Sequence, residues 1–207
     1  MTRPGVVVSL LVTGYVASLP LLVVPYSATA TTLLSAALDY QFRRTHEPWL
    51  YASFLVAAAA VIVAAPVPLV VSPHPFALAA VPLGAMLYWI DTRLWAWWTG
   101  SRIQATDRST GWIVTTLLGP FPEEIIYRGG LSVLLPTFGP AAYTVVSAVL
   151  YGTNHYHIGR KEVAFKAWNG VLYAALYVAA GTLVVPLAAH LAYNVASLSF
   201  VREGSRG

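Results

Sequence analysis

The 207-residue chain has no cysteine, which excludes a disulfide scaffold, a thiolate metal site and a cysteine nucleophile. Charge is nearly as scarce. Asp, Glu, Lys and Arg make up 10% of the residues, against about 25% in a soluble domain. The formal net charge is +4, yet the basic residues are scattered between apolar runs and form no basic face, so no nucleic-acid partner is expected. Internal repeats, low-complexity tracts and long linkers are also missing, which points to one domain over 1–207. The inverted repeats that would support a transporter are absent too. What is abundant is apolar surface: 57% of the residues are hydrophobic. In water such a chain would expose too much of it, so a lipid bilayer is the natural solvent.

Apolar stretches recur with short breaks. A membrane-crossing helix needs roughly 20 apolar residues, and eight spans are expected, at about 5–24, 28–42, 49–71, 76–98, 111–135, 140–156, 163–181 and 184–201. The expected fold class is all-α, a polytopic transmembrane helical bundle, because backbone groups in lipid must be bonded within their own segment. Pro66 and Pro68 are placed to end the third span early. The loops sort by charge. One set holds Arg3, Arg43 with Arg44, Arg102 with Arg108, Arg160 with Lys161, and Arg202 with Arg206. The other set, 25–27, 72–75, 136–139 and the turn at 181–182, has no Lys or Arg. The sets alternate under eight spans, and the positive-inside rule places both termini of this cell-membrane protein in the cytoplasm. Arg3, the apolar run after it and Ala28-Thr29-Ala30 loosely resemble a cleavable signal. Cleavage would leave an odd number of spans, so the first helix is expected to be retained.

Ionisable groups inside spans are costly and each is a functional candidate. Asp39, Asp91 and Arg93 lie near expected cytoplasmic ends, where snorkelling or a local ion pair is the ordinary explanation. Pro120-Phe121-Pro122-Glu123-Glu124-Ile125-Ile126-Tyr127-Arg128-Gly129 differs, because two adjacent carboxylates follow a proline pair within an apolar stretch. Prolines suit a first helical turn, so both carboxylates are expected near a helix N-terminus, where the dipole favours negative charge. Glu124 and Arg128 are spaced i,i+4 and can pair on one face. Glu123 points about 100° away, without that partner, and is free to exchange protons as a general base. A buried charge cluster that only holds helices together needs one Glu–Arg pair; the second Glu is surplus to it. Tyr151-Gly152-Thr153-Asn154-His155 and His190-Leu191-Ala192-Tyr193-Asn194 bring further polar groups. His190 and Asn194 share a helix face, either as oxyanion donors or as an interhelical hydrogen-bond pair. His157 is expected at the interface.

Glu-Glu-x-x-x-Arg, then aromatic-x-x-x-His, then His-x-x-x-Asn, each on its own helix, resembles the CPBP intramembrane proteases, which include the CAAX-processing type II proteases and the Abi proteins. The resemblance covers about 110–200, including Asn169-Gly170, Gly181-Thr182 and Val185-Pro186; residues 1–109 carry no motif. Tyr151 departs from it, since the family usually has Phe there. The resemblance implies an intramembrane endopeptidase acting on a peptide or membrane-protein substrate. Glu123 and His155 would activate water, His190 and Asn194 would stabilise the oxyanion, and Glu124 with Arg128 would support architecture or substrate. No cofactor is expected. Zinc or another divalent metal is the alternative, with Glu123, His155 and His190 as ligands, although no His-Glu-x-x-His signature is present. Two other functions compete with the enzyme: a non-catalytic scaffold or bacteriocin-immunity-type protein of the same fold, and a proton-coupled carrier using Glu123, Glu124 and Arg128 as a relay.

Overall fold

A computed structural model describes residues 47–65, 67–105, 110–155 and 160–202. The expected spans 5–24 and 28–42, Asp39 and His157 lie outside these residues. The remaining chain is helical: α1 (Glu47–Ala64), α2 (Phe76–Thr99), α3 (Thr110–Leu118), α4 (Pro120–Glu124), a π-helical turn (Ile125–Gly129), a 3-10 turn (Gly130–Leu134), α5 (Leu135–Asn154), α6 (Arg160–Ala180) and α7 (Val184–Ser197). One short antiparallel ladder, β1 (Ile103–Ala105) with β2 (Phe200–Arg202), interrupts the all-α expectation. It joins two loops that both carry arginine. At the other end Ser72 and Thr182, from two charge-free loops, are hydrogen-bonded, the Ser72 N–H reaching the Thr182 hydroxyl at 3.1 Å. The charge-sorted loop sets therefore come together in space as well as in sequence.

Several expected bounds are met closely. Span 76–98 corresponds to Phe76–Thr99, and 163–181 to Arg160–Ala180. The third helix stops at Ala64, two residues before Pro66, as that proline requires. The expectation of two separate spans at 111–135 and 140–156 is not met. They are arms of one helical run, Thr110–Asn154, and only this run and Arg160–Ala180 are both long and apolar enough to cross a membrane among the described residues. The shorter apolar helices are Leu55–Ala64 and Val184–Ser197.

A straight run of that length would extend roughly 68 Å, more than twice a bilayer's hydrocarbon core. It folds back instead. Gly139 breaks the helix with φ 77° and ψ 173°, a conformation open to a residue without Cβ. The returning arm repairs what the irregular turns expose. Helix types that depart from α leave carbonyls badly placed for their usual donors, which lipid cannot satisfy. The Tyr143 hydroxyl donates to the Arg128 carbonyl at 3.2 Å, and the Ser147 hydroxyl to the Tyr127 carbonyl at 2.8 Å. Ser132 caps the Gly129 carbonyl at 2.6 Å. Tyr143, Ser147, Tyr151 and His155 follow one another at four-residue steps, so one slowly turning stripe of α5 faces the irregular segment.

The core is rich in tyrosine. Tyr127, Tyr143, Tyr151 and Tyr173 are all fully buried, packed with Ile62, Ile126 and Leu131. Against this core α2 crosses α7 very closely. Gly84 lies against the Ala189 backbone, so near that a Cβ on Gly84 would coincide with the Ala189 carbonyl. Close approach through small residues is how helices gain contact area in lipid. Because Ala189 precedes His190, this crossing sets the depth of that imidazole. Gly84→Ala is therefore expected to cost about 1–3 kcal/mol through overpacking, read as a lowered Tm in detergent. An unchanged Tm would show that α7 can yield there freely.

Candidate active site

The proline pair does what its position suggests. Pro120 occupies the first turn of α4, and Glu123 and Glu124 follow immediately, with Glu123 N–H bonded to the Gly119 carbonyl at 3.2 Å. Both glutamates are buried. Glu124 Oε2 lies 3.3 Å from Arg128 Nε, the i,i+4 pair that the spacing implies. The π-helical turn begins at the very next residue, within this pair.

Glu124 also does something the spacing does not show. Its Oε1 accepts a hydrogen bond of 2.8 Å from Nδ1 of His190, 66 residues away on α7. A carboxylate only accepts, so Nδ1 carries the hydrogen and a neutral ring presents its lone pair at Nε2. That Nε2 faces Glu123, whose Oε2 is 3.6 Å away. His190 is thus held at one nitrogen by Glu124 and directed at Glu123 by the other. Its ring stacks on Tyr173, with centroids 4.7 Å apart and planes at 20°.

Tyr151 completes this group. Its hydroxyl is 3.2 Å from His190 Nε2, and it is hydrogen-bonded to the Glu123 side chain. The Arg128 guanidinium lies 4.6 Å over the Tyr151 ring and 5.2 Å over the Tyr173 ring, so aromatic faces enclose the buried cation. His155, one turn further along α5, is buried, and its Nδ1 donates to the Tyr151 carbonyl at 2.8 Å. Its neutral form therefore also carries the lone pair at Nε2.

Two candidates differ from expectation. Asp91 is not at an interface. It is fully buried on α2, and its Oδ2 accepts from the Tyr193 hydroxyl at 2.9 Å, tying α2 to the helix of His190. Arg93 is exposed, as snorkelling requires. Asn194 is turned aside: its Nδ2 donates to the Thr116 carbonyl of α3 at 2.8 Å. Lys166, on α6, lies 4.7 Å over the Tyr193 ring and is the foremost opposite charge acting on Glu123. Removing the Asp91 bond by Tyr193→Phe is expected to cost only about 0.6 kcal/mol, the average for interhelical bonds in membranes. A double-mutant cycle with Asp91→Asn would measure it, and a coupling of several kcal/mol would give this bond a larger part than a tether.

The structure brings Glu123, Glu124, Arg128 and His190 into one buried cluster, with His155 beside it across the Tyr151 ring. Sequence reasoning missed Tyr151, Tyr173, Asp91 and Lys166 as members of the surroundings. The four-residue stripe on α5 was the available signal for Tyr151. Among the described residues no three His, Asp or Glu side chains gather as a group able to hold a metal ion. Glu123, His155 and His190 do not fit that purpose here, since both imidazoles commit Nδ1 to other partners.

Residues 106–196 match the family described as type II CAAX prenyl endopeptidase Rce1-like. No curated protein and no solved structure matches the chain. The matched segment holds every residue of the three motifs, from Glu123 to Asn194, and it is the family those motifs resemble. It is a family of membrane proteases, and the apolar helices of this chain accord with a membrane location.

Proposed function

We propose, on the premise of that family match over residues 106–196, that the chain is an intramembrane endopeptidase of the cell membrane, crossing it several times with both termini cytoplasmic. The observation that carries this reading is the Glu123–His190 arrangement. A carboxylate and an imidazole face each other at 3.6 Å in an apolar helical core, and Glu124 holds the imidazole from behind. A structural ion pair would be complete with Glu124 and Arg128 alone.

Hydrolysis of a peptide bond then proceeds on protein groups. Glu123, with His155 close by, takes a proton from a water as its oxygen attacks the scissile carbonyl. His190 and Asn194 are the oxyanion partners that the family resemblance implies, and the 2.8 Å bond from Asn194 to Thr116 leaves its second N–H for that use. Glu124 and Arg128 keep His190 oriented. Substrates are peptides or membrane proteins that present an unwound segment to the cluster.

The test is comparative proteomics of membranes from cells carrying the wild type or Glu123→Ala. Uncleaved precursors in the variant would identify the substrate class. An unchanged membrane proteome, together with partner binding that survives loss of the motif residues, would instead favour the non-catalytic scaffold.

A further inference from the structure

We propose that the Tyr151 hydroxyl is a further catalytic group of this site, donating a hydrogen bond to the oxyanion of the tetrahedral intermediate. The proposal rests on the endopeptidase reading above. It concerns the position where this chain departs from the Phe usual in the family it resembles. A phenylalanine would present a C–H edge to His190. Tyrosine places an O–H there, 3.2 Å from Nε2 and bonded to the Glu123 side chain.

This hydroxyl is fixed. Tyr151 is fully buried, with Tyr127, His155, Tyr173 and His190 around its ring at centroid distances of 5.5, 4.7, 6.1 and 5.8 Å. The Arg128 guanidinium covers one face. A side chain so enclosed keeps its rotamer, and donors that need no reorganisation are the ones that stabilise developing charge best. The phenol retains its proton at neutral pH and has one hydrogen for two acceptors, the imidazole and the carboxylate. An oxyanion forming beside Glu123 offers a full negative charge, and a charge-assisted bond to it displaces the weaker one.

The other candidate donors are less ready. Nε2 of neutral His190 carries a lone pair, because Nδ1 holds the hydrogen towards Glu124. Asn194 has one of its two hydrogens committed to Thr116. Tyr151 is the group whose hydrogen already stands between Glu123 and His190. In the step itself Glu123 removes a proton from water as the water oxygen bonds to the carbonyl carbon. The carbonyl π pair moves to its oxygen, which accepts the hydrogen bond from Tyr151. On collapse the C–N bond breaks and the amine leaves with the proton from Glu123. Tyr151 keeps its own proton, and nothing is oxidised or reduced.

The experiment uses the full chain in liposomes with a quenched fluorescent peptide library, comparing wild type, Glu123→Gln, Tyr151→Phe and Asn194→Ala. Tyr151→Phe is expected to lower kcat by about 100-fold, as loss of one oxyanion donor does, with KM and Tm unchanged. Asn194→Ala is expected to lose less than Tyr151→Phe. Histidine nitrogen NMR supplies a readout independent of turnover: the His190 Nε2 resonance should shift in Tyr151→Phe. Wild-type kcat in Tyr151→Phe, a loss confined to KM, or an unmoved Nε2 resonance would overturn the proposal. A Glu123-dependent activity that survives Tyr151→Phe overturns it alone, whereas a wild type that cleaves nothing, or an unaffected Glu123→Gln, overturns the endopeptidase reading with it.

Discussion

Glu123→Gln is expected to reduce peptide cleavage by about 10²–10⁴-fold, the usual contribution of a general base, while the chain still inserts and keeps its Tm. The amide has the shape of the carboxylate and retains an acceptor oxygen, so contacts with Tyr151 and His190 survive the change. What it loses is the ability to take a proton. Glu124→Gln makes a useful contrast, because its amide oxygen can still accept from His190 Nδ1 at the position now bonded at 2.8 Å. The measurement is product release from proteoliposomes, with thermal unfolding followed in parallel. Undiminished cleavage by Glu123→Gln would sink the assignment of this residue as the base.

The second large effect concerns stability. Arg128 is fully buried, and its partner Glu124 is almost so. Arg128→Met would leave the Glu124 carboxylate without its cation in a low-dielectric interior, a change that costs about 3–5 kcal/mol. Thermal unfolding in detergent should show a marked drop in Tm. Replacing both members, Arg128→Met with Glu124→Leu, removes the stranded charge, and well-packed apolar substitutes for a buried pair are often neutral or better. The double variant should regain most of the lost Tm and yet stay inactive, because His190 Nδ1 then has no carboxylate to orient it. A double variant as unstable as Arg128→Met alone would place the cost in the packing between Tyr151 and Tyr173 instead of in charge.

How far these features are legible in sequence depends on the length scale of the signal. Apolar runs bounded by charge mark helices well, and α2 and α6 fall almost where hydropathy puts them. Proline marks breaks, and both Pro66 and the Pro120–Pro122 pair act as punctuation. The return of the chain after Gly139 also lies where a charge-free loop was expected. Hydropathy cannot distinguish helix types, however, so the π and 3-10 turns between Ile125 and Leu134 were read as ordinary span. Local spacing identified the Glu124–Arg128 pair, four residues apart, but the Glu124–His190 bond joins residues 66 apart and depends on how α4 meets α7. Asp91 was placed at an interface because a charge near a helix end usually reaches water. Tyr193, its partner, reads as a plain aromatic within His-x-x-x-Asn.

The irregular turns after Glu124 carry a consequence for how this chain can vary in length. A π-helical turn holds more residues than an α-helical one of the same hydrogen-bonded reach. Losing one residue between Ile125 and Gly129 would let the segment relax to α and rotate everything beyond it by about 100° relative to the two glutamates. The Arg128 and Tyr127 carbonyls would then turn away from Tyr143 and Ser147 on the returning arm. Selection on this stretch thus acts on residue count as much as on residue type. Substitutions among its apolar side chains are tolerable where a single insertion or deletion is not.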